Sequence, residues 1–234
     1  MPHNVYIGLL ALLVVLITPL TSGNHAMAAV ETAPYKVLEN LAERIELREY
    51  PPQLLAEVDV RGERQQAASR AFPILAGFIF GGNETSAKVA MTAPVTAAQN
   101  ADAVSGAPQK PSQKIAMTAP VTVETPSGAV AGDAVWTVAF VMPKEFTLET
   151  LPTPNDERVR IRATEPNYSA AIQFTGRYTD GNFSAHEEKL REAMRARGLE
   201  AAGSPTVAYY NGPFTPFFLR RNEVIIPVKN PTAE

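Results

Sequence analysis

The chain has 234 residues, 45% hydrophobic and 19% charged, which is ordinary globular composition and enough length for one sizeable core. A formal net charge of −3 and a pI near 5.7 argue against a nucleic-acid partner, which would want a basic face. The absence of cysteine excludes disulfides, thiolate heme ligation, covalent heme attachment, cysteine-based zinc sites and lipidation at cysteine.

Residues 5–20 form a strongly apolar run, followed by Ala26-Met27-Ala28, a small-residue cleavage pattern. The segment 1–28 reads as a secretory signal peptide, although its first four residues carry no Lys or Arg. An uncleaved membrane anchor is the alternative, for which the run is short; with the signal cleaved, no stable membrane span is expected. Either way the folded part is expected in an extracytoplasmic space, periplasmic or secreted. His3 and His25 then leave with the leader, and His186 is the single histidine of the mature chain.

Two stretches of the mature chain match each other at one constant offset. Ile45, Arg48, Pro52, Ala56, Val58, Val60 and Gly62 correspond to Val159, Arg162, Pro166, Ala170, Ile172, Phe174 and Gly176. Each stretch reads as a strand, a proline-containing bend, an alternating strand and a glycine, with a helix to follow. Arg48 and Arg162 are expected to anchor the same hydrogen bonds in both halves.

The first helix is predicted over 64–80, stopping at Gly81-Gly82. At 100° per residue, Ala67, Ala71, Phe72, Ile74, Leu75, Phe78 and Ile79 form its core face. The opposite arc begins polar, with Gln65, Gln66, Ser69 and Arg70, and then becomes Pro73, Ala76, Gly77 and Phe80. Solvent demands no such apolar outer patch. It could instead pack against a neighbouring loop or a second subunit.

An octapeptide then occurs twice, Lys88-Val-Ala-Met-Thr-Ala-Pro-Val95 and Lys114-Ile-Ala-Met-Thr-Ala-Pro-Val121, differing only at Val89 against Ile115. Alternate apolar positions predict a half-buried strand for each copy, with Met91 and Met117 in the core and Lys88 and Lys114 as edge charges. Pro94 and Pro120 cannot donate to a ladder and place each copy at an edge or bulge. The intervening segment 98–113 reads as a mobile loop, and Val89-Ala90 with Pro94 is matched to Val207-Ala208 with Pro213.

Residues 136–143 read as a strand and 151–156 as a turn-rich connection. A second helix is predicted to open on Ser184-Ala-His-Glu187 as a capping box and to end before Gly198, with Leu190, Ala193, Met194 and Ala196 on its apolar side. His186 then lies in its first turn. Arg220-Arg221-Asn222-Glu223 reads as an ion-pair turn, and 224–228 as the closing strand. The expected fold is one α+β domain spanning about 33–228: a distorted antiparallel β-barrel of about eight strands, flanked by two helices, with an internal pseudo-two-fold repeat.

The octapeptide, together with Arg48-Glu-Tyr-Pro-Pro52, 72–83, 136–143 and 210–224, resembles the SOUL family of heme-binding proteins, over 33–230. The resemblance implies non-catalytic binding of heme or a related tetrapyrrole in the cell envelope. Such binding requires a flat apolar surface, cations for the propionates and, optionally, an axial ligand. Pro73, Ala76, Gly77 and Phe80 would supply the surface, and Arg64 and Arg70 the cations. His186 is a candidate axial ligand, although a lone histidine at a helix start is more often a capping or surface residue; binding is expected to be reversible and without a strong axial ligand. No catalytic constellation stands out in the sequence. Two alternatives remain: a hydrolase or other small-molecule enzyme using the barrel cleft, marked by a buried carboxylate of perturbed pKa, and a protein–protein interaction module using the helix patch.

Overall fold

Strand segments that alternate in polarity can bury one face and leave the other polar, and this alternation organises the fold. The computed structural model describes residues 31–85, 111–125, 134–212 and 214–231. Its main sheet holds β1 Lys36–Ala42, β2 Ile45–Tyr50, β3 Leu54–Arg61, β4 Val121–Glu124, β5 Val135–Val141, β6 Arg160–Ala163, β7 Asn167–Phe174, β8 Thr206–Tyr209 and β9 Asn222–Val228. Helix α1 (Arg64–Ile79) follows β3, and α2 (Asp180–Arg197) follows β7. The nine strands are all antiparallel, in the order β6-β3-β5-β4-β8-β9-β7-β2-β1. With β1 set aside, that order reads identically from either end when β2, β3, β4 and β5 are exchanged for β6, β7, β8 and β9.

One register runs through two ladders. From Leu54↔Ala163 in β3–β6, crossing Pro51 and Pro52 on one segment and Glu165 and Pro166 on the other leads to Tyr50↔Asn167 in β2–β7 without a slip. Between them Gln53 N donates to Thr164 Oγ1 at 3.0 Å and Thr164 N to Gln53 O at 2.8 Å. Proline removes ladder donors at this point, so the ribbon bends there. The bend has a consequence for the whole sheet. In a flat sheet β3 and β2 would lie six strand spacings apart, about 29 Å, whereas the short connection between them reaches at most about 14 Å. The sheet therefore curls strongly. No ladder joins edge strands β6 and β1, so the sheet is open in its pairing and the expected barrel closure is not seen.

Both helices cover the same face. Ala56, Val58, Val138 and Phe140 meet Ala71, Leu75, Phe78 and Ile79 of α1; Ala170, Ile172, Val224 and Ile226 meet Phe183, Leu190 and Met194 of α2. Full burial of Leu75 and of Leu190 is worth about 1.5–3 kcal/mol each. The α1 core face follows the expected arc, except that Phe72 remains 42% exposed while its ring meets the edge of Phe140.

Three local expectations change. Helix α2 begins at Asp180, four residues before Ser184, because the Thr179 side chain accepts from Asn182 N and caps it there; His186 accordingly sits in the second turn. Its end at Gly198, with φ 72°, is as expected. Only Thr118–Ala119 of the second octapeptide pairs before β4, in parallel with Glu31–Thr32, and Met117 is 39% exposed, so it is not a core residue. The first octapeptide and residues 98–110 lie outside the described residues. The strand paired with β8 is β4, which opens on Val121, the last residue of the second octapeptide; the match of Val89-Ala90 and Pro94 to Val207-Ala208 and Pro213 involves residues outside the described ones.

Gly62 and Gly176, matched in the sequence, both close a strand ahead of a helix and have φ of 130° and 126°. An added Cβ would meet nothing closer than 3.7 Å at Gly62 but would lie 2.7 Å from Asn182 Nδ2 at Gly176. Gly176→Ala is expected to cost about 1–3 kcal/mol in urea unfolding, and Gly62→Ala less, since it carries the backbone strain alone.

Candidate functional site

The end of α1 is built as a fixed corner. Phe80 N donates to Ala76 O at 2.9 Å and Gly82 N to Gly77 O at 2.8 Å, and a Cβ at Gly82 would lie 2.6 Å from the same Gly77 oxygen. Glycine is therefore required for this closure. Buried Asn83 clamps the corner: its Nδ2 donates to Phe78 O and Gln113 O, both at 2.7 Å, and its Oδ1 accepts from Gln113 N at 2.9 Å. Ile115 N donates to Ile79 O at 2.8 Å, which carries the exposed Lys114 to the same end of the helix.

Beside this corner lies an open hollow of about 780 Å³, lined by Pro73, Ile74, Gly77, Phe78 and Gly82 on the helix side and 155–158 on the other. Phe80, 59% exposed, projects from the same helix face. Arg158 is held by Asp156 through bonds of 2.9 and 2.6 Å, which push the Asp156 carboxyl down to about 2.

The structure divides the residues predicted for the site. Pro73 and Gly77 line the hollow, whereas Phe80, exposed at the C-terminal cap of the helix, is not among its lining residues; Arg70 is exposed one turn before Pro73 and donates to Arg61 O at 3.4 Å. Ala76 is buried at 9% exposure and contributes packing, not surface. Arg64 is removed from the set: it is 6% exposed, bonds Asp180 and, at 2.7 Å, the Tyr209 hydroxyl, and lies 4.3 Å over the Phe183 ring. It ties the start of α1 to the start of α2, about 24 Å from the corner at 1.5 Å per residue over 16 residues. His186 is also separate. It stacks on Phe174 at 3.9 Å and its Nδ1 lies 2.7 Å from Asn182 O, on a helix that packs against β7, β9 and β1. Arg158 and Lys114 had no sequence signal, because only the fold brings their segments to the helix end.

The sheet face away from the helices holds the other feature, a cleft of about 160 Å³ whose walls include Tyr50, Glu57, Arg162 and Tyr210. The buried Glu223 accepts from Arg48 at 2.8 and 3.1 Å, from the Tyr210 hydroxyl at 2.7 Å and from Arg221 at 2.7 and 3.2 Å. Burial alone would push this carboxyl up, but Arg48, aided by Tyr210 and Arg221, holds it below its ordinary value. Burial raises Tyr50 to about 12. Arg162 bonds Glu57 instead, so the two matched arginines anchor different carboxylates: Glu223 sits on β9, Glu57 on β3. As an anion fixed by two arginines, Glu223 is an anchor and is not poised for proton transfer near neutral pH.

A family model described as SOUL heme-binding protein matches residues 30–110 and 104–227. Among curated proteins, none matches the chain by sequence. Among solved structures, the C-terminal domain of EcmrR aligns with a TM-score of 0.55 at 11% identity, over 84% of this chain and 98% of that one. A hydrolase from Listeria innocua aligns with a TM-score of 0.50 at 15% identity, over 80% of this chain and 92% of that one. At such identities the likeness is one of fold.

Glu223→Gln is expected to cost about 3–5 kcal/mol, since it leaves Arg48 buried without its counter-charge. The folded carboxyl is more acidic than the unfolded one, so its stabilisation is complete above the unfolded value of about 4.3 and is lost as pH falls through the folded value. Chemical unfolding across pH 3–7 is the measurement, and the variant should show a flatter acid limb.

Proposed function

The chain belongs to the SOUL heme-binding protein family, and on that premise we propose that it binds heme or a related tetrapyrrole reversibly on the outer face of α1. The observation that carries this reading is the hollow beside the α1 corner. Its roughly 780 Å³ falls within the range of small-molecule sites, about 300–1,000 Å³, whereas the cleft on the opposite sheet face, at about 160 Å³, falls below it. Pro73 and Gly77 would form the exposed apolar floor with half-buried Ile74 beside them, Phe80 would stack at the side, and Lys114 and Arg70, with Arg158 in its pair with Asp156, would face the propionates. Heme would supply the chromophore; the chain would supply contact area and charge pairing. His186 stacks on Phe174 and bonds Asn182 O, away from the hollow, so the proposed site draws on contact area and charge and not on this histidine.

Two further readings belong to this proposal. The palindromic strand order supports an internal two-fold, with the bent β2–β3 and β6–β7 segments as long shared strands of a distorted barrel. The apolar run and small-residue pattern in 1–28 support a cell-envelope location, periplasmic or secreted.

Titration with hemin, and separately with metal-free protoporphyrin, tests the site. Phe80→Ala removes roughly 100 Å² of apolar contact, about 2.5 kcal/mol, so affinity for both ligands should fall by one to two orders of magnitude. His186→Ala should leave affinity and the Soret maximum almost unchanged. Loss of the hemin spectrum in His186→Ala, with Phe80→Ala unaffected, would overturn the helix-face site.

A further inference from the structure

We propose that the turn between β8 and β9, residues 214–221, is a membrane-docking element whose partner is an anionic lipid surface. Phe214, Phe217, Phe218 and Leu219 are 98%, 43%, 62% and 65% exposed. Of the 11 large hydrophobic side chains exposed among the described residues, these four fall within six consecutive positions. The other seven are spread over the rest of the surface.

This exposure is built into the fold. Phe217 O accepts from Gly176 N at 3.0 Å, Thr215 O accepts from Arg220 Nε at 2.7 Å, and Arg221 N donates to Asn211 Oδ1 at 2.6 Å. The Tyr178 hydroxyl donates to Asn211 O at 3.0 Å. The turn is thus pinned at its base while its apolar tips point outward. Cations rim it: the Arg177 guanidinium lies 4.7 Å from the Phe217 ring centre and that of Arg220 4.3 Å from the Tyr178 ring centre. Arg221 is matched by Glu223, and Asp180, nearby at the start of α2, is matched by Arg64. Aromatic tips with a cationic rim are the combination that enters the headgroup region of an anionic bilayer.

Position supports the same partner. Arg221 Nη2 donates to the Tyr35 hydroxyl at 3.2 Å, and Ala33 N donates to Ala119 O at 2.8 Å, two residues before the Val121↔Tyr209 pair. The chain therefore enters the domain at the end of the sheet that carries the turn. The apolar run 5–20 lies only ten residues before Glu31, a reach of about 35 Å, so retention of that run would hold this same end against a bilayer. A second copy of the chain fits less well. Six residues offer far less than the roughly 800 Å² per partner of a stable interface, whereas lipid insertion needs only the side chains.

The chain has no cysteine, so Thr215→Cys and Glu157→Cys, each in the full chain, accept a single environment-sensitive fluorophore. On vesicles of phosphatidylglycerol and phosphatidylcholine, the label at position 215 should shift to the blue and be quenched by brominated acyl chains, and the label at 157 should not. The blue shift should weaken about tenfold in vesicle titrations at high salt, and at least about tenfold when Phe214→Asp and Phe218→Asp are added. A label at 215 that stays in water while the protein is vesicle-bound overturns the proposal, even if the apolar run alone carries binding. So does a blue shift that appears without vesicles and grows with protein concentration, which would mark self-association. Retention of the shift by the folded double variant is equally decisive against it.

Discussion

The constraint on which the structure depends is the single register shared by two segments far apart in the chain, broken in both at proline. Because Leu54↔Ala163 and Tyr50↔Asn167 belong to one unslipped antiparallel ribbon, the two halves of the sheet cannot be placed independently. The prolines bend the ribbon where they withhold donors, and the short connections draw the two ends of the strand order together. Curvature gives the sheet its two unlike faces: one filled by both helices, the other leaving a narrow cleft.

The cleft face shows how a curled sheet accommodates charge. Taking Arg48 and Glu223 out of water costs several kcal/mol per ion unless every polar atom is met. Here Glu223 is met on both oxygens, and Arg48 also bonds Glu46 at 2.8 Å and the Tyr50 hydroxyl at 3.2 Å. The charges of such a network are spent on one another. On the same face the cleft measures about 160 Å³, against about 780 Å³ for the hollow at the α1 corner.

The two proposed contact surfaces sit at opposite ends of the helical layer. At the end of α1 the corner's backbone groups are met internally, through Asn83, Gly77 and Gly82. At the other end, Arg64 joins the starts of α1 and α2, and the aromatic turn stands beside the start of α2 on its own set of hydrogen bonds. With the proposed membrane contact at one end and the proposed ligand contact at the other, either could be occupied without closing its partner site.

By itself the sequence determined the features that follow from short-range pattern. Alternation and prolines marked β2, β3, β6 and β7; a broad apolar arc and Gly81-Gly82 marked α1; the octapeptide and its companion stretches marked the family. It also placed Pro73, Gly77 and Phe80 on one helix face, because a helix has a fixed period. Tertiary structure alone decided the rest. Arg64 looks available in sequence and is buried, since its partner Asp180 lies 116 positions away. Glu223 reads in sequence as part of an ion-pair turn with its neighbours and is the centre of a buried ion network, since the sheet brings Arg48 to it from 175 positions away. Thr179 displaced Ser184 as a cap, and Arg158 and Lys114 joined the α1 corner. Local pattern reports how a segment can bury one of its faces; which distant group meets a given side chain depends on register and curvature, and those exist only once the ribbon has bent.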